Sequence, residues 1–267
     1  MDKIGVINYN ISNFSVEELF GWCGENGVQY VELQRKDVWP DIEKPENAVK
    51  ETAALLQKYG ISISQISSGS DFLQKTEEDI NKQVRMVGNM CRMIKDLGFN
   101  QLRIDGGWPK GGVAEKDYRD LVIKGVSKAT EIAEKEGVYL ALDNHGTVTN
   151  NIAFQTDILK TVKSKHLGAN LDTMNYRWYG YKVDELRDIY KEIAPYAFHT
   201  HIKDGTGSRE EYKGTVLGEG EIPLTGAIKI IKDAGYDGVW CVEYEGKEGA
   251  DGYKKSVSWL KQALDNM

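Results

Sequence analysis

The stretch Leu140-Ala-Leu-Asp-Asn-His145 decides the fold when it is read with Gly168-Ala-Asn-Leu-Asp172, Phe198-His-Thr-His-Ile-Lys203 and Val239-Trp-Cys-Val-Glu243. Each is a short, strand-like run that places a potential metal ligand at or near its carboxyl end. Alternate side chains of a β-strand share a face. Ala141 and Asp143, Asn170 and Asp172, His199 and His201, and Cys241 and Glu243 therefore fall on one side of their strands. Leu140 and Leu142, Ala169 and Leu171, and Trp240 and Val242 fall on the other. The small, polar side looks inward and the apolar side packs on helices. Two aspartates, a glutamate and a histidine converging at strand ends make a hard, mostly oxygen site. It suits manganese, magnesium or cobalt, with nitrogen enough for zinc.

Working outward, further strand patterns lie near 4–8, 30–34, 61–67 and 102–105, and the four quoted stretches fall near 139–143, 168–172, 199–203 and 239–244. Between them apolar residues recur at helical spacing. The first helix opens on Ser15-Val-Glu-Glu18, a capping-box pattern. Others cover about 46–58, 77–97, 116–136, 157–165, 183–193, 224–234 and 252–266. Gly27, Gly60, Gly98 and Gly137 stand where a left-handed C-cap wants glycine. Eight strands alternating with eight helices predict an α/β fold, a single (β/α)8 TIM barrel domain over residues 1–267. An open, doubly wound sheet is the rival. In a barrel the strand ends share one mouth, so ligands distant in sequence can meet.

Composition bounds the function classes. With 34 basic and 41 acidic residues, the net charge of -7 gives no general attraction for nucleic acid or anionic lipid. No apolar run approaches the length that crosses a bilayer, and the chain opens directly on a strand pattern, so it reads as cytoplasmic. Cys23, Cys91 and Cys241 are odd in number and far apart, which suits reduced, buried thiols. Leu217-Gly-Glu-Gly220 has an acid between its glycines and lacks the third glycine of a dinucleotide turn. Gly106-Gly-Trp-Pro-Lys-Gly-Gly112 lacks the Gly-Lys-Ser/Thr of a P-loop and reads as a lid.

The order Asp143-Asn-His-Gly146, Asn170-Leu-Asp-Thr173, His199-Thr-His-Ile-Lys-Asp204, Leu217-Gly-Glu-Gly220 and Val242-Glu243 resembles the xylose isomerase-like barrel superfamily. Its members include ketose 3-epimerases, hydroxypyruvate isomerases, inosose dehydratases, keto-glycoside lyases and apurinic-site endonucleases. The resemblance implies that Asp143, Asp172, His201 and Glu243 hold one divalent metal ion, manganese foremost, with magnesium, cobalt or zinc as alternatives. His201 is preferred over His199 because it lies nearer the mouth. The first ligand of that family is usually glutamate and is aspartate here, shorter by one methylene.

The expected activity is that of a metal-dependent sugar isomerase or epimerase, by proton abstraction beside a carbonyl and a metal-bound enediolate. Glu243 is a proton-transfer group, with Asp143 or His145 as its opposite, and Lys203 stabilises an alkoxide or balances the carboxylates. The alternative is a metal-dependent lyase or dehydratase on a keto-sugar, inosose or 3-keto-glycoside, favoured by Asp143 and the adjacent histidine. Glu32, Gln65 and Arg103 suit a sugar's hydroxyls, though some such residues fill the barrel interior as a hydrogen-bonded layer. Trp39, Trp108 and Trp178 lie in loops after strands, where they stack on a sugar or pack the loop. The partner is a small sugar or keto-sugar, with neither nucleic acid nor membrane, and a homo-oligomer or accessory subunit is left open.

Overall fold

The computed structural model describes residues 2–39 and 46–267. Its strands are β1 (Lys3–Ile7), β2 (Tyr30–Gln34), β3 (Ser62–Ser67), β4 (Gln101–Ile104), β5 (Tyr139–Asp143), β6 (Leu167–Asp172) and β7 (Ala197–Ile202), followed by β8 (Asp204–Thr206), β9 (Lys213–Thr215) and β10 (Val239–Val242). The first seven and β10 form a closed parallel barrel, while β8 and β9 make a separate antiparallel hairpin. Because β1 pairs with both β2 and β10, the sheet has no edge, which excludes the doubly wound rival.

The helices are α1 (Val16–Glu25), α2 (Arg35–Val38), α3 (Glu46–Tyr59), α4 (Glu77–Met93), α5 (Tyr118–Glu136), α6 (Ile152–Val162), α7 (Asn175–Tyr179), α8 (Leu186–Ile193), α9 (Leu224–Asp233) and α10 (Ala250–Asp265). At α1 the capping box forms: the backbone N–H of Glu18 donates to Ser15 Oγ at 3.2 Å, and that of Ser15 donates to Glu18 Oε2 at 2.7 Å. Helix α5 ends at Gly137, whose φ of 69° lies in the left-handed region that glycine enters without strain.

Two short helices, α2 and α7, and the hairpin were not foreseen, and α6 starts earlier than its apolar spacing suggested. Asn151 caps α6 by accepting from the Phe154 N–H at 3.1 Å. The helix then ends at Lys163, a non-glycine residue with φ of 50°, so no glycine marks its end.

Strand faces that turn outward pack on the helices. Leu140, Leu142, Leu171, Trp240 and Val242 are buried there. Each such side chain contributes roughly 1.5–3 kcal/mol by leaving water. The inward faces differ, because polar side chains on strands that are not neighbours bond to one another across the axis. Gln65 of β3 donates to Asn170 of β6 at 3.0 Å, and His201 of β7 lies 2.7 Å from Glu32 of β2. A polar layer therefore fills the barrel beneath its mouth. Among the described residues no helix is long and apolar enough to cross a membrane.

Candidate active site

Asp172, at the end of β6, is oriented by the chain that follows it. Its Oδ1 accepts the backbone N–H groups of Met174 and Asn175 at 2.8 and 2.9 Å. Its Oδ2 is buried and accepts no hydrogen bond, while Lys203 Nζ lies 3.5 Å away and His201 Nδ1 lies 3.9 Å away. Glu243, just after β10, brings Oε2 to 2.8 Å from His201 Nδ1. Ligand atoms of Asp172, His201 and Glu243 thus lie within 4.8 Å of one another. Two carboxylates and an imidazole, one carboxylate oxygen buried without a hydrogen bond, form a donor set that fits a divalent ion.

Electrostatics follow from enclosure and pairing. Burial pushes the Asp172 carboxyl up to about 7, with Lys203 opposing. Burial acts upward on Glu243 too, but Lys203 and His201 overcome it and hold that carboxyl well below its usual range. Burial would discharge His201, yet Glu32 and Glu243 on its two sides raise it well above an ordinary histidine. His199 lies deeper, between Asn170 Oδ1 at 2.8 Å and Ser64 Oγ at 3.1 Å, and burial pushes it down to about 3. It is a neutral interior histidine.

Lys203 is a hub of charge. Its Nζ lies 3.2 Å from Glu243 and 3.0 Å from Glu245, and it donates to Asn175 Oδ1 at 3.2 Å. Asp143 falls into a second group with Asp105 and His145. Asn170 Nδ2 donates to its Oδ1 at 2.6 Å, and Oδ2 lies 3.6 Å from both Arg103 and His145 Nδ1. Burial acts upward on Asp143, but Arg103 and His145 hold it below its usual range. Asn170 Nδ2 is also 3.2 Å from His201 Nδ1, so one amide separates Asp143 from the ligand cluster.

Two cavities open at the mouth. One of about 280 Å³ is lined by Arg103, Asp105, Trp108, His145 and Glu243; the other, about 420 Å³, by Tyr9, His145, Trp178, Lys203 and Tyr212. His145 borders both. A larger groove of about 630 Å³ between α8 and α9 is mostly apolar, far from these groups in character.

The expected substrate contacts divide. Arg103 and Trp108 line a cavity, whereas Glu32, Gln65 and Trp39 are fully enclosed. Trp39 is a core side chain because α2 turns it inward immediately after β2. Glu32 and Gln65 belong to the interior layer, the other role open to such residues. Tyr9, Asn175, Tyr212 and Glu245 also border the larger cavity and were missed. Glu245 alone carried a signal, since it continues the alternation of Cys241 and Glu243.

Fold and site together define a (β/α)8 barrel that gathers titratable side chains at the carboxyl ends of its strands. The family model described as xylose isomerase-like TIM barrel matches residues 20–263, and the chain belongs to that family. An uncharacterised protein of Methanocaldococcus jannaschii is 28% identical over 144 residues, 52% of this chain and 47% of that protein. The chain thus matches about half the length of that relative. An inosose isomerase of Halalkalibacterium halodurans is 22% identical over 240 residues, 87% of this chain and 84% of that enzyme.

Solved structures are similar in fold. A xylose isomerase-like TIM barrel protein of Mycobacterium smegmatis in complex with magnesium has a TM-score of 0.82 at 16% identity, covering 100% of this chain and 97% of that one. The IOLI protein with a bound zinc has a TM-score of 0.80 at 19% identity, covering 99% and 97%. The 3-keto-D-glucoside 4-epimerase of E. coli has 0.79 at 16%, covering 98% and 100%.

Proposed function

We propose that the chain is a divalent-metal-dependent isomerase or epimerase of a sugar or keto-sugar that works by moving a proton beside a carbonyl. The observation that carries this is the Asp172, His201 and Glu243 cluster, with the buried Asp172 Oδ2 free of hydrogen bonds, placed below two cavities that share His145. Asp172, His201 and Glu243 would hold the ion, and Asp143, whose Oδ2 is buried without a hydrogen bond, would complete the set from β5. The inosose isomerase relative and the magnesium- and zinc-bound structures support this reading. When bound, a divalent ion supplies Lewis-acid stabilisation of negative charge developing on substrate oxygens.

The chain's own groups do the rest. Lys203 Nζ donates toward a substrate oxygen in the larger cavity and keeps Glu243 ionised. Glu243 holds or moves a proton from one side of the substrate. His145, half-buried at the mouth and shared by both cavities, does so from the other. Trp108 meets the His145 ring edge-on, with ring centroids 6.1 Å apart.

Elimination is the second reading, carried by the pairing of His145 with Asp143 at 3.6 Å. Burial acts downward on this imidazole, but Asp143 and Asp105 raise it above its ordinary value, which favours a protonated ring able to donate to a leaving oxygen. The test is incubation of metal-loaded protein with ketose, inosose and 3-keto-glycoside panels in heavy water, followed by NMR. Deuterium in an isomeric product supports the first reading, and an eliminated product supports the second. Neither exchange nor product with any panel member counts against both.

A further inference from the structure

We infer that Glu32 is a positioning residue: from inside the barrel, its carboxylate fixes the ring and the tautomer of His201 so that Nδ1 is presented to Asp172 and Glu243. The inference rests on the metal site proposed above and adds a residue that touches neither ion nor substrate. His201 has two distinct edges. Its Nδ1 lies 2.8 Å from Glu243 and 3.9 Å from Asp172, whereas Nε2 lies 2.7 Å from Glu32 Oε2. The Nδ1 edge thus faces the ligand cluster, and the Nε2 edge faces the interior.

A histidine that binds a cation needs a lone pair on the ligating nitrogen and therefore carries its proton on the other. A carboxylate acceptor at that other nitrogen selects the tautomer, holds the ring plane and makes the ligating nitrogen a better donor. Glu32 is built for constancy in this role. It is fully enclosed, accepts from Gln65 Nε2 at 2.7 Å and sits 3.1 Å from Arg103. Arg103 is itself anchored by donating to Ser67 Oγ at 2.9 Å. Partners from β3 and β4 thus hold a β2 side chain against a β7 histidine, and β10 and β1 stand between β7 and β2 in the barrel. A carboxylate whose job was to fill space would need none of this alignment with the imidazole nitrogen.

The test compares wild type with Glu32→Gln. Zinc affinity is measured by calorimetry with a competing chelator, and the ring nitrogens of His201 are followed by ¹⁵N NMR and assigned from the His201→Gln spectrum. Glu32→Gln is expected to stay folded by circular dichroism, to bind zinc about ten- to a hundredfold more weakly, and to lose the Nε2-protonated signature of zinc-bound His201. If the single variant fails to fold because Arg103 loses its nearer carboxylate, Glu32→Gln combined with Arg103→Met removes both charges and is read the same way. Zinc affinity within twofold of wild type with unchanged His201 signals, in either folded variant, overturns the inference and leaves the metal site standing. A wild-type protein that binds no zinc overturns the metal reading, and this inference with it.

Discussion

Lys203 shows how one side chain can face a buried charge cluster and an open cavity at once. Its ammonium faces Asp172, Glu243 and Glu245 while its end borders the larger cavity. Lys203→Met should therefore lower turnover by about a hundredfold or more while leaving zinc occupancy, read by calorimetry, nearly intact. Loss of the ion with full specific activity after reloading would make Lys203 a counter-ion alone. His145 and Asp143 divide in the opposite sense. His145→Gln should keep the ion and lose substrate C–H exchange, whereas Asp143→Asn should mainly weaken ion binding, because the shorter carboxylate stands one amide away from His201. Wild-type exchange in metal-loaded His145→Gln would move the base to Glu243. The inward row of Asp172, His201 and Glu243 was legible because the strand period of two is strict. The depth of Glu32 and the enclosure of Trp39 were not, since periodicity tells which face a residue takes and not how far below the mouth it lies.

At the scale of the element, the hairpin of β8 and β9 is the clearest case of structure that patterning could not reach. Its strands are three residues each, too short for an alternation to register. What holds its base is Asp204, whose carboxylate accepts the backbone N–H groups of Gly205, Gly218, Gly220 and Ile222 at 2.9, 2.9, 3.1 and 3.2 Å. This gives Leu217-Gly-Glu-Gly220 a physical reason: a Cβ on Gly220 would collide with that carboxylate, and one on Gly218 with Trp259. Asp204→Asn turns one acceptor into a donor against these N–H groups. It should cost about 2–3 kcal/mol in chemical denaturation. Retention of full stability would show that the loop holds without the latch. By contrast the eight barrel strands were legible, because each keeps one consistent face on each side over four to six residues.

For the whole molecule, the buried charges link stability to pH and, on the proposed function, to the ion. Asp172 is raised to about 7 and His201 well above its ordinary value, so above pH 6.5 the native state binds more protons at these groups than the unfolded chain does. Stability from them is therefore lost as pH rises. His199 acts oppositely, but its contribution is complete above its unfolded value near 6.5. The protein without divalent ion should melt lower at pH 8 than at pH 6.5. An ion that takes the deprotonated ligands should raise the melting temperature more at pH 8, each kcal/mol appearing as roughly 2–4 °C. Calorimetry with and without chelator checks this, and an ion effect that shrinks with pH would contradict it.

Closure of the barrel also orders events during synthesis. Glu32 is made with the second strand, Asp172 and His201 follow with the sixth and seventh, and Glu243 emerges only after β10, the strand that seals the barrel against β1. A ribosome-bound chain that stops short of this strand carries parts of the cluster without its final carboxylate. If the set binds an ion as proposed, its capture is a late step, one that coincides with the joining of the barrel's two ends.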